Sequence, residues 1–479
     1  MIFNTFQFIW LFPLIFAVYW ICHRFNRPHF VLSKYVLLAI SYGVYMQWSV
    51  TFGMVLLFVT LVTYAGALLV EHSRSRRKSL IYIYIWASVL LTLAPLLTFK
   101  YFNFVSLSVD GLLRWAGVAV SSAPPTVSWL VPLGLSFYTF QALGYLWDVY
   151  RHKIDAERNP VNYMLFIAFF PQILCGPISK ASDLLPQLRR PADFSYSQGV
   201  QGLRLILWGI FLKVVVADRL GLYVDTIYMD YTRYSGTSAI LAAIFYSLQI
   251  YGDFAGYSFI AVGVARLLGV NLIINFRRPY FAQSVSDFWK RWNISLTKWL
   301  TEYVYIPLGG SRRGKTRTYI NIMVTFLVSG IWHGANWTFI LWGLIHGGCQ
   351  VVEKAAGLNR LQSHGFVRLL RTAIVFVIVT LAWVYFRMPT IADASGLIVH
   401  MAALGAPYVD TTTFGYAATG VAVMLAAELI MENRHRLYER LSLGGGAVRL
   451  VRWSVYLMLL TLTVLTGVLD SGQFIYVMF

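Results

Sequence analysis

Charged side chains are scarce in this chain of 479 residues: they make up 12% of it, whereas hydrophobic residues make up 58% and the mean hydropathy is +0.63. Soluble domains carry about 25% charged residues. The shortage of charge, together with apolar runs close to the roughly 20 residues that cross a bilayer, excludes a water-soluble globule. It predicts a protein that crosses the membrane several times.

Cysteine is also rare. The three cysteines, Cys22, Cys175 and Cys349, are isolated in apolar surroundings and form neither a CxxC pair nor a metal-ligand spacing. This pattern argues against a cysteine-based metal site. We interpret all three as packing residues.

Acidic residues are outnumbered, 20 against 39 lysines and arginines, which gives a formal net charge of +19. The basic residues are scattered through short loops between apolar segments, where the orientation signals of membrane proteins lie. This distribution argues against nucleic-acid binding.

The apolar segments, such as Phe6–Cys22, Ile374–Phe386 and Val455–Leu469, show no strand-like alternation. Within lipid, a helix satisfies its own backbone polar groups. We therefore predict an all-α polytopic fold with about 11–13 membrane segments, some of them re-entrant. The first segment has no Lys or Arg ahead of it and no cleavage site after it, so we expect a retained helix rather than a signal peptide.

Basic loops predict the orientation, because positive residues favour the cytoplasmic side. The first three are Arg24 with Arg27, Arg74 to Lys78, and Arg151 to Arg158. Placing them inside leaves the N-terminus and the poorly charged loop Val105–Thr126 outside. It also predicts four early spans and a fifth over Val127–Trp147.

Tyr163–Ile178 has basic residues on both flanks and is interrupted at Pro171 and Gly176-Pro177. Since both flanks favour the cytoplasm, we predict a re-entrant hairpin that is buried in protein or lines a water-filled cavity. An ordinary kinked span is the alternative.

The longest polar insertion, residues 275–318, carries nine basic residues and is predicted to be cytoplasmic. Trp289, Trp292 and Trp299 recur in it at near-helical spacing, which predicts an amphipathic helix in the membrane interface. Ser284 and Asp287 fit the N-terminal cap of that helix.

Further spans are predicted over Val200–Val216 and Ser238–Leu268, and near Ile374, Thr419 and Val455. Tyr319–Val352 is either one long tilted helix or a helix broken near Ser329-Gly330. We expect a single integral-membrane domain. Its segments are N-terminal helices over 1–160, a core over 161–352 that includes the insertion 275–318, and C-terminal helices over 353–479.

His333 lies in the apolar run SGIWHGANW that follows the insertion. An ionisable side chain at membrane depth usually faces a cavity, a partner or a reaction, so His333 is a functional candidate. A hydrogen-bonded packing histidine is the alternative. Gly330 and Gly334 permit close approach of backbone, while Trp332 and Asn336 supply a stacking face and an amide.

Two further observations concern buried polar groups. Asp253 and Tyr257 lie four residues apart, on one face of a predicted helix. His346 lies 13 residues after His333, about 220° around and roughly 20 Å along a continuous helix. The two histidines would then not share a metal unless the helix breaks, so we predict no metal site and assign His346 to packing or tunnel lining.

Several segments together carry a resemblance to a known family. They are FKYFNF, PLGLSFYTFQALGYLWDVYR, PQILCGPISK, QIYGDFAGYS, NFRRPYFAQSVSDFWKRWNISLTKWL, YIPLGG, SGIWHGANW and FIYVMF. Over nearly its full length the chain resembles the membrane-bound O-acyltransferases of the alginate O-acetylation branch, bacterial enzymes that supply acyl groups for exopolysaccharide or cell-wall modification. The resemblance implies a helical-bundle acyltransferase with a tunnel through the membrane.

The histidine of the family's WHG motif is catalytic, which implies that His333 is a general base toward an acceptor hydroxyl, a role worth about 10²–10⁴ in rate. At Asn293 the family pattern RRWHISLS usually has histidine, so proton transfer rests on His333 alone. The pattern also usually has Arg-Asp at Thr301-Glu302 and Asp at Phe259. The predicted substrate-binding residues are Asn336, Asn293, Trp332, Asp253, Tyr257, Asp287, Arg291 and Lys298.

Some of these residues have a second interpretation. Lys290, Arg291 and Lys298 either attract the phosphates of a CoA donor or serve as topology signals. Asp287 is expected mainly to cap its helix. Either Asn336 or Asn293 is expected to orient His333.

The resemblance implies transfer of an acetyl group from cytoplasmic acetyl-CoA, with no tightly bound cofactor, in a bacterial inner (plasma) membrane. The expected acceptor is a serine on a secreted partner acyltransferase or the exopolysaccharide itself. The predicted re-entrant segment and Asp253 keep a transporter or export channel as the alternative. A scaffold for a synthase complex is a third.

Overall fold

The computed structural model describes residues 6–25, 31–74, 78–118, 123–190, 193–358, 364–433 and 445–468. These residues are mostly helical, and none of them forms a β-strand. The terminal FIYVMF motif and the basic residues Arg27, Arg76, Arg77, Arg434, Arg436 and Arg440 lie outside the described ranges.

The described chain divides into two compact units. The first is formed mainly by Ile9–Gln198 with Ala265–Leu272, and the second by Gly199–Val264 with the chain from Ile273 onward. Neither unit coincides with the three predicted segments, whose division stays a prediction.

The first unit contains nine described helices. They are α1 (Phe6–Phe25), α2 (Val31–Met46), α3 (Val50–Ser73), α4 (Lys78–Leu96), α5 (Phe102–Trp115), α6 (Leu135–Tyr150), α7 (Pro160–Ala168), α8 (Phe170–Ile173) and α9 (Ala181–Arg189). A π-helical turn, Leu97–Tyr101, joins α4 to α5.

The second unit is formed by the helices that follow. They are α10 (Tyr196–Ile210), α11 (Asp218–Met229), α12 (Gly236–Leu267), α13 (Val285–Arg291), α14 (Ile294–Leu300), α15 (Lys315–His333), α16 (Trp337–Ala355), α17 (Gly365–Arg387), α18 (Ile391–His400), α19 (Thr411–Asn433) and α20 (Gly446–Thr466). π-Helical turns at Phe211–Ala217 and Thr301–Tyr305 follow α10 and α14.

Eight helices within the described residues are long and apolar enough to cross a membrane, and three shorter apolar helices accompany them. The polytopic all-α prediction is therefore confirmed. α1 covers the predicted Phe6–Cys22 span, and α17 contains Ile374–Phe386.

The predicted fifth span, Val127–Trp147, is wrong in its first half. Residues 127–134 are not helical, and α6 begins only at Leu135. Pro132 cannot donate a backbone hydrogen bond, and Gly134 has a left-handed φ of 71°. These two residues stop the helix from extending toward its N-terminus.

Tyr163–Ile178 contains the predicted interruption. The nine residues of α7 would extend about 13 Å, well short of the roughly 30 Å hydrocarbon core. The chain breaks at Phe169, continues as the four-residue α8 and turns back into α9. Nearly the whole stretch is buried, and two short helices with a break between them agree with the predicted re-entrant segment.

Tyr319–Val352 forms a helical hairpin, α15 followed by α16. The break lies after His333, four residues beyond the predicted Ser329-Gly330, with Gly334 extended and Asn336 as the N-cap of α16. The two helices pack closely because a Cβ on Gly330 would lie 2.4 Å from the carbonyl oxygen of Phe339. The predicted close approach at Gly330 is confirmed.

The tryptophan-rich part of the insertion differs from the prediction. Two short helices, α13 and α14, replace one amphipathic helix, because Asn293 adopts a left-handed φ of 41° between them. Trp289 and Trp292 are buried within the second unit and do not lie at an exposed interface. The predicted cap is confirmed, since the Ser284 hydroxyl accepts a hydrogen bond from the Asp287 N–H at 2.9 Å.

Candidate active site

His333 is the last residue of α15, and its side chain is surrounded by aromatic rings. The ring centroids of Trp332 and Trp342 both lie 4.8 Å away and that of Phe386 lies 5.3 Å away, all at steep angles to the imidazole. His333 is only 3% exposed. The resemblance implies a tunnel through the membrane, whereas the structure closes aromatic side chains around this imidazole.

His346 joins the same cluster, which the sequence distance did not predict. The break after His333 folds α16 back along α15, so that Trp342 lies 4.8 Å from His333 and 4.9 Å from His346. The indole N–H of Trp289 donates to Nδ1 of His346 at 3.3 Å. Since Nδ1 accepts, the neutral ring carries its proton on Nε2. No group of three potential metal ligands occurs among the described residues.

A cavity of about 310 Å³ opens beside this cluster, between the insertion and the α15–α16 hairpin. Its lining residues include Ser286, Trp289, Lys290, Leu300, Tyr305, Thr325, Phe326, Ser329, Gln350 and Lys354. Lys290 is exposed, whereas Trp289 and Ser329 are buried, so the cavity runs from a basic outer part to a buried inner end.

The inner end of the cavity lies close to His333 in the fold. Ser329 precedes His333 by one helical turn on α15, and side chains four residues apart share a helix face. Trp289 is shared between the cavity wall and the hydrogen bond to His346. The cavity therefore ends at the residues that surround the two histidines.

Of the predicted basic donor-binding residues, the structure places Lys290 in the cavity wall but not Arg291 or Lys298. Arg291 forms ion pairs with Asp287 at 3.1 Å and with Glu432 at 3.0 Å. Lys298 is exposed on α14. Lys354 lines the cavity although sequence reasoning missed it, because its place beside the insertion depends on the α15–α16 hairpin.

The predicted polar partners mostly have structural hydrogen bonds. The Asn336 side chain accepts from the Thr338 N–H at 3.0 Å and donates to the Pro389 carbonyl at 2.8 Å, so its amide holds the start of α16. Asp287 caps α13 and pairs with Arg291. For these two residues the structure shows helix-stabilising contacts, and their contact with substrate stays a prediction.

Asn293 differs from these residues, because neither amide atom of its fully buried side chain has a hydrogen-bond partner among the described residues. Its backbone begins α14 in a left-handed conformation that asparagine tolerates better than most residues. A buried amide in this condition is a candidate for contact with a ligand or water.

Asp253 and Tyr257 are buried on α12, as predicted. Asp253 pairs with Lys213 at 2.6 Å, and Lys213 pairs with Asp218 at 2.7 Å. Sequence reasoning missed Lys213, which lies in the π-helical turn after α10. A wide turn of this kind rotates side chains away from their expected faces. The carboxylate predicted to bind substrate is thus part of a buried ion cluster.

Comparison with known proteins identifies the family. The profile of the MBOAT, membrane-bound O-acyltransferase family, matches residues 154–388. A protein of Pseudomonas syringae pv. tomato named "Probable alginate O-acetylase AlgI" is 34% identical over 402 residues, covering 84% of this chain and 75% of that protein. The chain belongs to the membrane-bound O-acyltransferase family.

Other members of the family match at similar length. The protein of the same name from Pseudomonas aeruginosa is 33% identical over 81% of this chain and 72% of its own length. The peptidoglycan O-acetyltransferase of Helicobacter pylori is 31% identical over 84% of this chain and 80% of its own length. This membrane protein is therefore an O-acyltransferase. The comparisons favour an enzyme over the two alternatives, an export channel and a scaffold.

Proposed function

We propose that this acyltransferase passes an acetyl group from cytoplasmic acetyl-CoA to a hydroxyl on the other side of the membrane, for O-acetylation of an exopolysaccharide. The relatives named as O-acetylase and O-acetyltransferase support acetyl as the group transferred. The observation that carries the proposal is the cavity that begins beside Lys290 and ends at Ser329, one turn before His333.

The cavity matches a thioester donor in its polarity. Lys290 and Lys354 would pair with donor phosphates at the outer part, where positive charge also attracts an anionic substrate. Trp289, Phe326 and Leu300 supply apolar lining, which suits the pantetheine arm and acetyl group. A volume of about 310 Å³ lies at the small end of ligand pockets, so it would accept this arm rather than the entire donor.

His333 would act as the general base. The imidazole takes the proton of the acceptor hydroxyl as the oxygen attacks the thioester carbonyl, and the departing thiolate then receives a proton from the imidazolium. The surrounding rings of Trp332, Trp342 and Phe386 exclude water and so limit hydrolysis of the thioester. Because these rings also enclose His333, acceptor access requires at least one of them to rotate.

The remaining assignments follow from the same proposal. The insertion 275–318 faces the cytoplasm, the N-terminus lies outside, and the protein resides in the bacterial inner membrane. The acceptor is a serine of a secreted partner acyltransferase or the polysaccharide itself. Acetyl-CoA is a substrate in this proposal, and no tightly bound cofactor takes part.

Acyl transfer by the purified protein in vesicles, with labelled acetyl-CoA on the cytoplasmic side, tests the assignment of His333. We expect His333→Ala to lower the rate by about 10²–10⁴ because general-base catalysis is lost. His72→Ala, an exposed histidine on α3, is the matched control and should retain the wild-type rate. Wild-type transfer by His333→Ala would refute the role of His333.

A further inference from the structure

The wall of the donor cavity depends on α13, a helix of only seven residues. Each residue advances about 100° around a helix, so the seven residues of α13 point in different directions and can be grouped into three faces. Ser286, Trp289 and Lys290 face the cavity, whereas Val285 and Phe288 are fully buried. A two-turn helix is not stable by itself, so the position of this wall depends on the contacts of its other faces and ends.

Asp287 and Arg291 form the third face of α13, and Arg291 on this face pairs with the carboxylate of Glu432. Glu432, near the end of α19, accepts hydrogen bonds from Arg291 at 3.0 and 3.1 Å, one to each carboxylate oxygen. The same carboxylate pairs with Arg278 at 2.7 Å and with Arg368 at 3.3 Å. The Glu432 side chain is only 10% exposed, so these pairs are screened less than surface pairs.

Arg291 connects this carboxylate to the loop that encloses α13. The backbone carbonyl of Arg291 accepts a hydrogen bond from the Arg277 N–H at 2.9 Å. The Ile294 N–H donates a second hydrogen bond to the Asn275 carbonyl at 3.0 Å. At the other end of α13, Glu353 accepts from the backbone N–H groups of Val285 and Ser286. Two carboxylates from outside the insertion therefore hold the two ends of the helix.

We propose that Glu432 is a positioning residue for the acyl donor: by holding Arg291 it fixes the wall formed by Ser286, Trp289 and Lys290. The inference rests on the proposed function. Neutralising Glu432 leaves Arg278, Arg291 and Arg368 close together. The carboxylates that remain are Asp287, paired with Arg291, and Glu428, which interacts with Arg278. The arginines then repel each other, and the C-terminal end of α13 loses its side-chain contact with α19, although the Arg277 N–H still bonds the Arg291 carbonyl. His333 keeps its own surroundings.

Kinetics of Glu432→Gln in vesicles test this inference. We expect KM for acetyl-CoA to rise about tenfold while kcat stays within about twofold, because donor binding is weakened and the reacting groups are unchanged. Glu432→Asp keeps the charge and should restore most of the affinity. Arg368→Met is the matched control, since it removes a cation from the same carboxylate but leaves the pair with Arg291. Its KM should stay near the wild-type value.

Binding of CoA itself, measured by calorimetry on the same proteins, separates the two proposals. Weaker binding to Glu432→Gln, restored by Glu432→Asp, supports the positioning role independently of turnover. Equal CoA affinity in wild type and Glu432→Gln would overturn the inference alone, as would a fall in kcat with unchanged KM. A wild-type protein that binds no CoA would overturn the proposed donor and this inference together.

Discussion

Ser329 lines the cavity and lies one helical turn before His333, the proposed general base. It is 1% exposed, and its hydroxyl has no hydrogen-bond partner among the described residues. A buried hydroxyl without a partner is costly, so a native structure that keeps one usually has a use for it. A donor carbonyl or amide at the inner end of the cavity would supply the partner.

A larger side chain at position 329 should therefore block the donor. We expect Ser329→Leu to lower kcat/KM for acetyl-CoA by about 10- to 100-fold, because its branched side chain fills the inner end of the cavity. Ser329→Ala removes only the proposed hydrogen bond to the donor. It should lower kcat/KM by less than about tenfold, in keeping with about 1 kcal/mol for such a bond. Steady-state acyl transfer checks both values. A wild-type kcat/KM for Ser329→Leu would show that the donor binds elsewhere.

At the scale of elements, the α15–α16 hairpin holds the site together through glycine. A Cβ on Gly343 would lie 2.4 Å from the Phe326 carbonyl oxygen, and Gly330 faces the same crowding from α16. Small residues at such positions let two helices in a membrane approach closely. This approach brings Trp342 beside both His333 and His346.

Gly343→Ala should separate these two helices. We expect a loss of about 1–3 kcal/mol in stability, as for other overpacked sites, with reduced acyl transfer because Trp342 moves away from His333. Gly348→Ala is the matched control: a Cβ there meets nothing within 4 Å, and alanine favours a helix by about 0.5–1 kcal/mol over glycine. Thermal unfolding in detergent compares the two. Equal stability of both variants would contradict the packing argument.

The sequence predicted single helices better than the way they break. Hydropathy located α1 and α17, and local hydrogen-bond chemistry located the Ser284 cap. A break in Tyr319–Val352 was predicted as one of two alternatives, but near Ser329-Gly330 and not after His333, because the apolar pattern continues through the true break. The Gly-Ala-Asn before α16 does contain an N-cap residue. The burial of Trp289 was missed because interfacial and buried tryptophans have the same spacing along a chain.

The candidate site was predictable only in part for a related reason. His333 stood out because it is ionisable within an apolar run, and Lys290 because it lies in the basic insertion. Lys354 and His346 join the site only once α16 folds back along α15. Lys213 escaped notice because a π-helical turn sets its direction, and such turns leave no clear sequence signal.

At the scale of the whole molecule, burial differs strongly between the apolar helices. In α12, 78% of the most apolar window is buried, compared with 11% in the Val448–Thr466 window of α20. α12 is also where Asp253 meets Lys213, so its charged group lies within protein. α20 instead presents Leu450, Leu457 and Val464 on its exposed surface. We infer that α20 contacts lipid and that α12 is a core helix, since charge in the membrane is tolerated mainly in the protein interior.

The orientation of the whole protein can be tested with two single cysteines, in a variant whose three native cysteines are replaced. Ser311→Cys lies in the exposed basic part of the insertion. Ala116→Cys lies directly after α5, which occupies Phe102–Trp115 and so replaces the first half of the predicted loop Val105–Thr126. Because positive loops stay inside, a membrane-impermeant maleimide should label Ala116→Cys in intact spheroplasts but Ser311→Cys only after lysis. The opposite labelling pattern would show that the protein has the reverse orientation, with the Lys290 side of the cavity outside. Acetyl-CoA in the cytoplasm could not then reach Lys290 and Lys354 directly, so the same labelling also tests the proposed side of the donor.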